Sequence, residues 1–541
     1  MLPRKEMFKN TLRKTAYAWR RIHELRLSEE EALNLRFYMD EASYIDLHWG
    51  MFIPTIKGQG SDEQRQKWLP LAYKMQIIGC YAQTELGHGS NVKGLETTST
   101  FDPHTDEFVI HSPTLTSSKW WPGGLGKVST HAIVYARLIL DGKDHGVHGF
   151  IVQVRSLEDH RPLPGITVGD IGMKFGNGGF NTTDNGVLRF DRVRIPRNQM
   201  LMRFVGEWLE WLYNDVTKRL QANDFSTLPE AHACTAGLKS ITTSVTADGI
   251  EECRKLCGGH GYLCSSGLPE LFAVYVPSCT FEGDNIVLLL QARAMKTMAR
   301  TGSFGPTRLV ARFLIKIVSQ LGTGKQPVGT IAYMGRIEHL MQCRCNAQRA
   351  EDWLKPSQVL EAFEARAARM SVSVAQNLRK FTNFEQGFAE LSADLVESAV
   401  AHCQLIVVSK FIEKVQQADI DGEGVKQQLE SLCGIYCLSL LHKHKGDFLA
   451  TCYLTPNQAA LANDQLRSLY TKVRPNAVAL VDAFNYSDHY LSSILGRYDG
   501  NVYPKLYEAA WKDPLNESDV PDGYEEYVRP LLKQQLHMAK L

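Results

Sequence analysis

Charged and apolar residues recur at helical spacing through the opening of the chain, with few Gly or Pro to interrupt them, and predict a helical segment over residues 1–75. The pattern then changes. Short apolar and β-branched runs at 107–110, 132–140, 149–154 and 186–195, punctuated by Gly, Pro and Asp clusters, predict strands. From Phe204 the helical spacing returns, with Leu395, Ala399, Cys403 and Ile406 forming one apolar stripe. The expected fold is α+β, with a strand-rich domain set between helical ones. Its expected divisions are a helical segment at 1–75, a β-domain at 76–203, and two C-terminal helical domains at 204–335 and 336–541. No internal repeat is visible.

Composition narrows the classes. With 541 residues the chain has room for several domains and a large core. A formal net charge of +1 gives no electrostatic case for nucleic acid as a partner. No apolar run reaches the length expected of a membrane span. The 12 cysteines lack the spacing of a small disulfide framework and read as reduced thiols. Cys253, Cys257 and His260 have no second ligand pair, so no metal is expected, and Cys253 and Cys257, one helical turn apart, read as a packed helix face. His442-Lys443-His444 reads as a solvated helix face. The basic opening (Arg4, Lys5, Lys9, Arg13, Lys14, Arg20, Arg21) is interrupted by Glu6 and Glu24 and reads as the outer face of a helix rather than a transit peptide. The last three residues, Ala539-Lys540-Leu541, are a small–basic–Leu variant of the peroxisomal address, which an import receptor must grip on an exposed tail.

Several familiar signatures fail. Gly123-Gly124-Leu125-Gly126-Lys127 is followed by Val128 where a phosphate loop needs Ser or Thr, and no G-x-G-x-x-G or G-x-S-x-G occurs. The candidate chemistry lies elsewhere. Glu282, in Cys279-Thr280-Phe281-Glu282-Gly283-Asp284-Asn285, follows a largely apolar run. A carboxylate among apolar neighbours is suited to general-base work, and Gly283 lets a ligand approach the backbone. Three Gly-rich turns accompany it: Gln83-Thr84-Glu85-Leu86-Gly87-His88-Gly89-Ser90-Asn91, Trp120-Trp121-Pro122-Gly123-Gly124, and Cys257-Gly258-Gly259-His260-Gly261-Tyr262.

Taken together, in this order, these motifs resemble the peroxisomal acyl-CoA oxidases, particularly the plant enzymes acting on medium- to long-chain substrates. The resemblance extends over most of the chain, including Arg474-Pro475-Asn476 and its surroundings in the second helical domain. It implies an acyl-CoA dehydrogenase/oxidase-like fold with a β-barrel-like central domain, and FAD as cofactor. It further implies oxidation of a fatty acyl-CoA by O2 to a trans-2-enoyl-CoA and hydrogen peroxide in peroxisomal β-oxidation. Glu282 falls on the catalytic base. Gln83, Thr84, Gly89, Ser90, Trp121, Gly123 and Gly124 fall on the flavin loops, with Thr84 on the isoalloxazine and Gly123 leaving room beside the ring. Gly258, Gly259, His260 and Gly261 fall on the turn that meets the neighbouring subunit's cofactor, which implies a homodimer, and Asp284 and Asn285 approach the cofactor.

The chain departs from the family pattern in three places. It starts inside the family's first helical stretch. It runs from Arg203 directly into Phe204, where the family has several dozen more residues, including an arginine that grips the FAD phosphates. It also carries an extra segment at 292–309, with Gly302, Gly305 and Pro306. These departures suggest a spliced form, and leave as an alternative a catalytically impaired partner of intact oxidase subunits.

Overall fold

The structure is a computed structural model that describes the chain apart from residues 1–2, 29–30, 33–34, 36–41, 177–178, 202–227, 291–309, 322–326, 418–421, 521–523 and 530–541. The Arg203–Phe204 junction, the extra segment and the C-terminal tripeptide therefore lie outside the described residues. The described residues cluster into two compact units: Met1–Asp248 with Ala273–Val478, and Gly249–Phe272 with Ala479–Leu541.

The first unit opens with helices α1 (Arg4–Leu25), α2 (Ile53–Gln59) and α3 (Asp62–Tyr73). Ser61 begins α3 as a capping box: its hydroxyl accepts from Gln64 N, and the Gln64 side chain accepts from Ser61 N at 2.9 Å. Among the described residues nine strands follow: β1 (Gly79–Ala82), β2 (Thr98–Asp102), β3 (Glu107–His111), β4 (Lys119–Trp120), β5 (His131–Leu140), β6 (Lys143–Gln153), β7 (Ile166–Asp170), β8 (Gly186–Phe190) and β9 (Val193–Pro196). Strand β5 organises the larger sheet. Its first half pairs in parallel with β1, its second half in parallel with β2, and its other edge antiparallel with β6. β3 and β9 extend that sheet beyond β2, while β4, β8 and β7 form a second, antiparallel sheet. Residues 131–136 are buried at every position, as expected of a strand covered on both faces. The run at 186–195 is two strands rather than one, because Arg192 takes φ 50° between them. The short strand β1, with no alternation to mark it, was not legible in the sequence.

Beyond the β-domain come α4 (Leu228–Leu256), α5 (Leu268–Tyr275), α6 (Asn285–Leu290) and α7 (Val310–Gln320). The long helices are α8 (Pro356–Leu378), α9 (Ser392–Gln417), α10 (Glu423–Lys443) and α11 (Pro456–Val473). Leu395, Ala399, Cys403 and Ile406 are buried on α9, as their spacing predicts. Contrary to the sequence expectation, α9 is long and apolar enough to cross a membrane by length and composition; in the fold its apolar stripe is core packing, with Ala362, Phe363 and Ala367 of α8 buried in the same cluster. Arg366 is buried there too, held by Asp447 at 2.7 and 3.0 Å and by Gln404 Oε1 at 2.7 Å. His444 belongs to this network through Gln404 (3.0 Å), and burial draws it down to about 4. Only His442 and Lys443 match the solvated face expected there.

The second unit holds the turn at 257–262 and the short helices Ala477–Asp482 (from its third residue), Asp488–Leu491 and Val502–Trp511. Ser493 Oγ donates to Ser266 O at 2.5 Å and Ile494 N to Ser265 O at 3.0 Å, joining its two chain segments. Cys253 is exposed and Cys257 half-buried, so this pair does not form the packed face expected of it.

Candidate active site

The two Gly-rich loops of the β-domain lie edge to edge. Leu86 N donates to Ser118 O at 2.8 Å, Gly87 N to Thr116 O at 3.0 Å, and Trp120 N to Thr84 O at 3.0 Å. Beneath them Glu85 and Lys119, both fully buried, form an ion pair at 2.9 Å. Lys119 Nζ spends its other donors on Gln83 O (3.1 Å) and Tyr135 O (2.7 Å). Glu85 also accepts from Thr97 N, Thr97 Oγ1 and Glu96 N at 3.0, 2.6 and 2.8 Å, and His88 Nδ1 lies 3.0 Å away. Burial opposes the Glu85 charge, but Lys119 and these donors outweigh it and hold the carboxyl below its usual range. Burial also draws the Lys119 pKa below its usual value, against the opposing pull of Glu85.

This clamp fixes the backbone that carries the predicted loop residues. Gln83 and Thr84 are half-buried, while Gly89 and Ser90 are exposed at the tip of the first loop. A Cβ on Gly89 would meet nothing within 4 Å, so space is open there. In the second loop Trp121 is 53% exposed and takes φ 85°. Asn185 Nδ2 donates to Trp121 O at 2.7 Å, and its Oδ1 is a buried acceptor with no partner. Gly124 takes φ 77°, and a Cβ there would lie 2.4 Å from Tyr44 O. Behind this loop Asp184 accepts from Lys127 N (2.6 Å) and Val128 N (2.9 Å), and burial raises its carboxyl above the usual range.

Glu282 stands on a separate turn of the same unit, between α5 and α6. Phe281 N and Thr280 N both donate to Pro277 O at 2.9 Å, after which Glu282 takes φ 54° and Gly283 φ 106°. A left-handed conformation costs a non-Gly residue about 1–2 kcal/mol, so the surroundings must hold it. Asp284 Oδ1 accepts from Ile286 N and Val287 N and starts α6. Asn285 faces α4: its amide donates to Ser240 O, Thr243 Oγ1 and Ser244 Oγ, and its oxygen accepts from Lys239 Nζ at 2.9 Å. The side chains of Asp284 and Asn285 are thus engaged in building the turn. The Glu282 carboxylate is exposed, as is Phe281 beside it, so the chain's own side chains do not supply the apolar enclosure expected from the preceding run.

Gly258, Gly259, His260 and Gly261 lie in the second unit. Gly258 takes φ 60°, and Cβ atoms on Gly258 and Gly259 would meet nothing within 4 Å. Gly261 is pressed against Arg254 O, 2.0 Å from where its Cβ would stand. The His260 ring meets Tyr503 edge-on at 6.3 Å.

Sequence reasoning missed Lys119, Asp184, Asn185 and Lys239. A lysine beside two tryptophans in a strand-rich segment is the one signal that pointed to the first, and nothing in the sequence named its partner.

Four family models match the chain: Acyl-coenzyme A oxidase N-terminal over residues 1–78, Acyl-CoA dehydrogenase, middle domain over 80–193, Acyl-CoA oxidase, C-alpha1 domain over 197–296, and Acyl-CoA oxidase over 355–533. The chain is 63% identical to peroxisomal acyl-coenzyme A oxidase 1 of Arabidopsis thaliana, covering 100% of this chain and 92% of that protein. That alignment runs to 628 positions against 541 residues, so several dozen positions face no residue here. The rat peroxisomal acyl-coenzyme A oxidase 1 is 36% identical over 98% of the chain and 91% of its own length. Among solved structures, an acyl-CoA oxidase from tomato superposes with TM-score 0.92 at 66% identity, covering 98% of this chain and 92% of that one. Acyl-CoA oxidase-2 of Caenorhabditis elegans, bound with FAD, ascaroside-CoA and ATP, superposes with TM-score 0.86 at 30% identity, covering 99% and 90%.

Proposed function

The chain belongs to the acyl-CoA oxidase family, and from that premise we propose that it is an FAD-dependent peroxisomal enzyme of fatty-acid β-oxidation. It converts a fatty acyl-CoA and O2 to a trans-2-enoyl-CoA and hydrogen peroxide. The observation that carries this reading is the pair of glycine-bearing loops clamped to each other by the buried Lys119–Glu85 pair. The open space over Gly89 and the unpartnered acceptor Asn185 Oδ1 beside Trp121 suit a planar cofactor with its own N–H donor. Gln83, Thr84, Gly89, Ser90, Trp121, Gly123 and Gly124 would hold it. When bound, FAD supplies a two-electron acceptor for hydride from the β-carbon and passes the electrons to O2.

Glu282 takes the proton from the carbon α to the thioester, a weak acid whose removal needs a positioned base and exclusion of water. The partner subunit would complete the enclosure that the single chain leaves open. The second unit is consistent with a homodimer: Leu256, Tyr262, Phe484, Tyr498, Tyr503 and Tyr507 are all at least 67% exposed, large side chains that a partner subunit would cover. In that dimer the turn at 257–262, with open backbone at Gly258 and Gly259, would reach the partner's cofactor. Ala539-Lys540-Leu541 would engage the import receptor. No observation favours a non-catalytic partner over the enzyme.

The purified protein should be yellow, should bleach when an acyl-CoA is added without O2, and should release peroxide in air. Glu282→Gln should keep FAD and lose about 10²–10⁴-fold in turnover. Colourless protein, or a variant that turns over like the parent, would refute the reading. Light scattering measures the dimer, and a reporter carrying the last residues with and without the tripeptide measures import.

A further inference from the structure

The turn that presents Glu282 is fastened to α4 at Lys239, Ser240, Thr243 and Ser244. Ser240 Oγ donates to Asn285 O at 2.9 Å, and the Asn285 amide reaches Ser240 O, Thr243 and Ser244. Lys239 adds the contact closest to the carboxylate in sequence: its Nζ donates to Gly283 O at 2.5 Å and to Asn285 Oδ1 at 2.9 Å. Gly283 is the residue at φ 106° that follows Glu282 at φ 54°, so the ammonium grips the carbonyl next to two consecutive left-handed residues. Leu288 closes the other side, 2.7 Å from where a Gly283 Cβ would stand.

Of the α4 groups that reach the turn, Lys239 is the charged one. The ionisable groups whose fields act on it are the Cys279 thiol and the Glu282 and Asp284 carboxylates. Asp284 is committed to the start of α6 through Ile286 N and Val287 N, which leaves Glu282 as the carboxylate of this turn available for chemistry. Burial lowers the Lys239 pKa, and Cys279, Glu282 and Asp284 oppose that shift. An ammonium so placed holds a backbone carbonyl through a charge-assisted hydrogen bond.

We propose that Lys239 is a positioning residue for the catalytic base: it locks the left-handed Glu282–Gly283 backbone and so holds the Glu282 carboxylate where it can take the proton. The proposal rests on the reading of Glu282 as the base. It concerns a residue outside every predicted site motif, and it assigns the ammonium to the backbone of the turn rather than to substrate or cofactor.

The test compares Lys239→Met, Lys239→Gln and Lys239→Arg with the parent as FAD-loaded dimers, using kcat, KM, FAD content and thermal stability. In Lys239→Met, kcat should fall about 10–100-fold with KM changed less than about threefold, the scale of a misplaced catalytic group. Lys239→Arg and Lys239→Gln, which can still donate to Gly283 O, should recover part of kcat. Independently of turnover, amide exchange in a peptide spanning 280–290 should speed up in Lys239→Met and less in Lys239→Gln.

A Lys239→Met enzyme with parental kcat overturns the proposal. So does a fall in kcat with unchanged amide exchange over 280–290, or one matched by equal loss of FAD and of thermal stability, the mark of a purely structural lysine. Glu282→Gln, run alongside, separates the two readings: if it turns over like the parent the base assignment itself has failed, and if it is inactive the Lys239 outcome stands on its own.

Discussion

Replacing Lys119 by Met removes the positive half of the clamp and leaves Glu85 fully buried. Breaking a buried ion pair by removing one partner costs about 3–5 kcal/mol, because an uncompensated charge remains. Glu85 keeps the donors from Thr97 and Glu96, which lowers the figure. Gln83 O and Tyr135 O lose the Lys119 donor, which raises it, at about 1–3 kcal/mol for each acceptor left buried without a partner. The expected destabilisation of the β-domain is therefore about 4 kcal/mol. At roughly 2–4 °C per kcal/mol for a unit of 150–250 residues, its melting transition should fall by about 8–16 °C. Urea unfolding followed by tryptophan fluorescence reads this directly, since Trp120 and Trp121 adjoin the substituted residue. Flavin retention should fall in parallel, because Gln83, Thr84, Trp121 and Gly123 sit on the two loops the pair joins. Adding Glu85→Gln should restore part of the loss, as the buried charge disappears, and the double-mutant cycle should give a coupling energy well above about 0.5 kcal/mol. A Lys119→Met midpoint within about 0.5 kcal/mol of the parent, with FAD retained, would refute the assignment of the clamp.

Three further outcomes follow from the same geometry. Gly124→Ala should destabilise the second loop by about 1–3 kcal/mol and weaken FAD retention, because its Cβ would lie 2.4 Å from Tyr44 O at φ 77°; parental flavin absorbance and melting would contradict this. Asp184 has a raised folded pKa, so its folded form holds a proton that the unfolded form, near ~3.9, has lost. Its contribution is fullest below ~3.9 and declines as pH rises through the raised folded value; Asp184→Asn should flatten that slope in pH-dependent urea midpoints. His402 is buried with its Nδ1 3.1 Å from the Tyr333 hydroxyl, and burial draws it to about 4, below an unfolded value of ~6.5. Its contribution is therefore full above ~6.5 and lost as pH falls through 4, by up to roughly 3 kcal/mol, and His402→Gln should remove that acid sensitivity in denaturation measured from pH 7 to 4.

The sequence by itself determined the succession of helix, strand and helix, the buried stripe of α9, and the motifs that place the chain in its family. These are local properties: periodicity reports which face of an element is apolar, and glycines mark where backbone must turn or be approached. Glu282 was legible for the same reason, as a carboxylate fixed in a short glycine-bearing motif. What only the tertiary structure decided is how distant polar groups meet. Lys119 and Glu85 are 34 residues apart in the chain and meet because β4 runs beside the first loop. Lys239 and Asn285 meet across 46 residues because the first residue of α6 is hydrogen-bonded to α4, which turns the Asn285 amide into that helix instead of leaving it for a ligand. His444, the residue that follows α10, reads as surface and is held inward by Gln404, a residue of another helix. A hydrogen bond or an ion pair is a relation between two positions, and its partner, burial and cost exist only once the chain has folded.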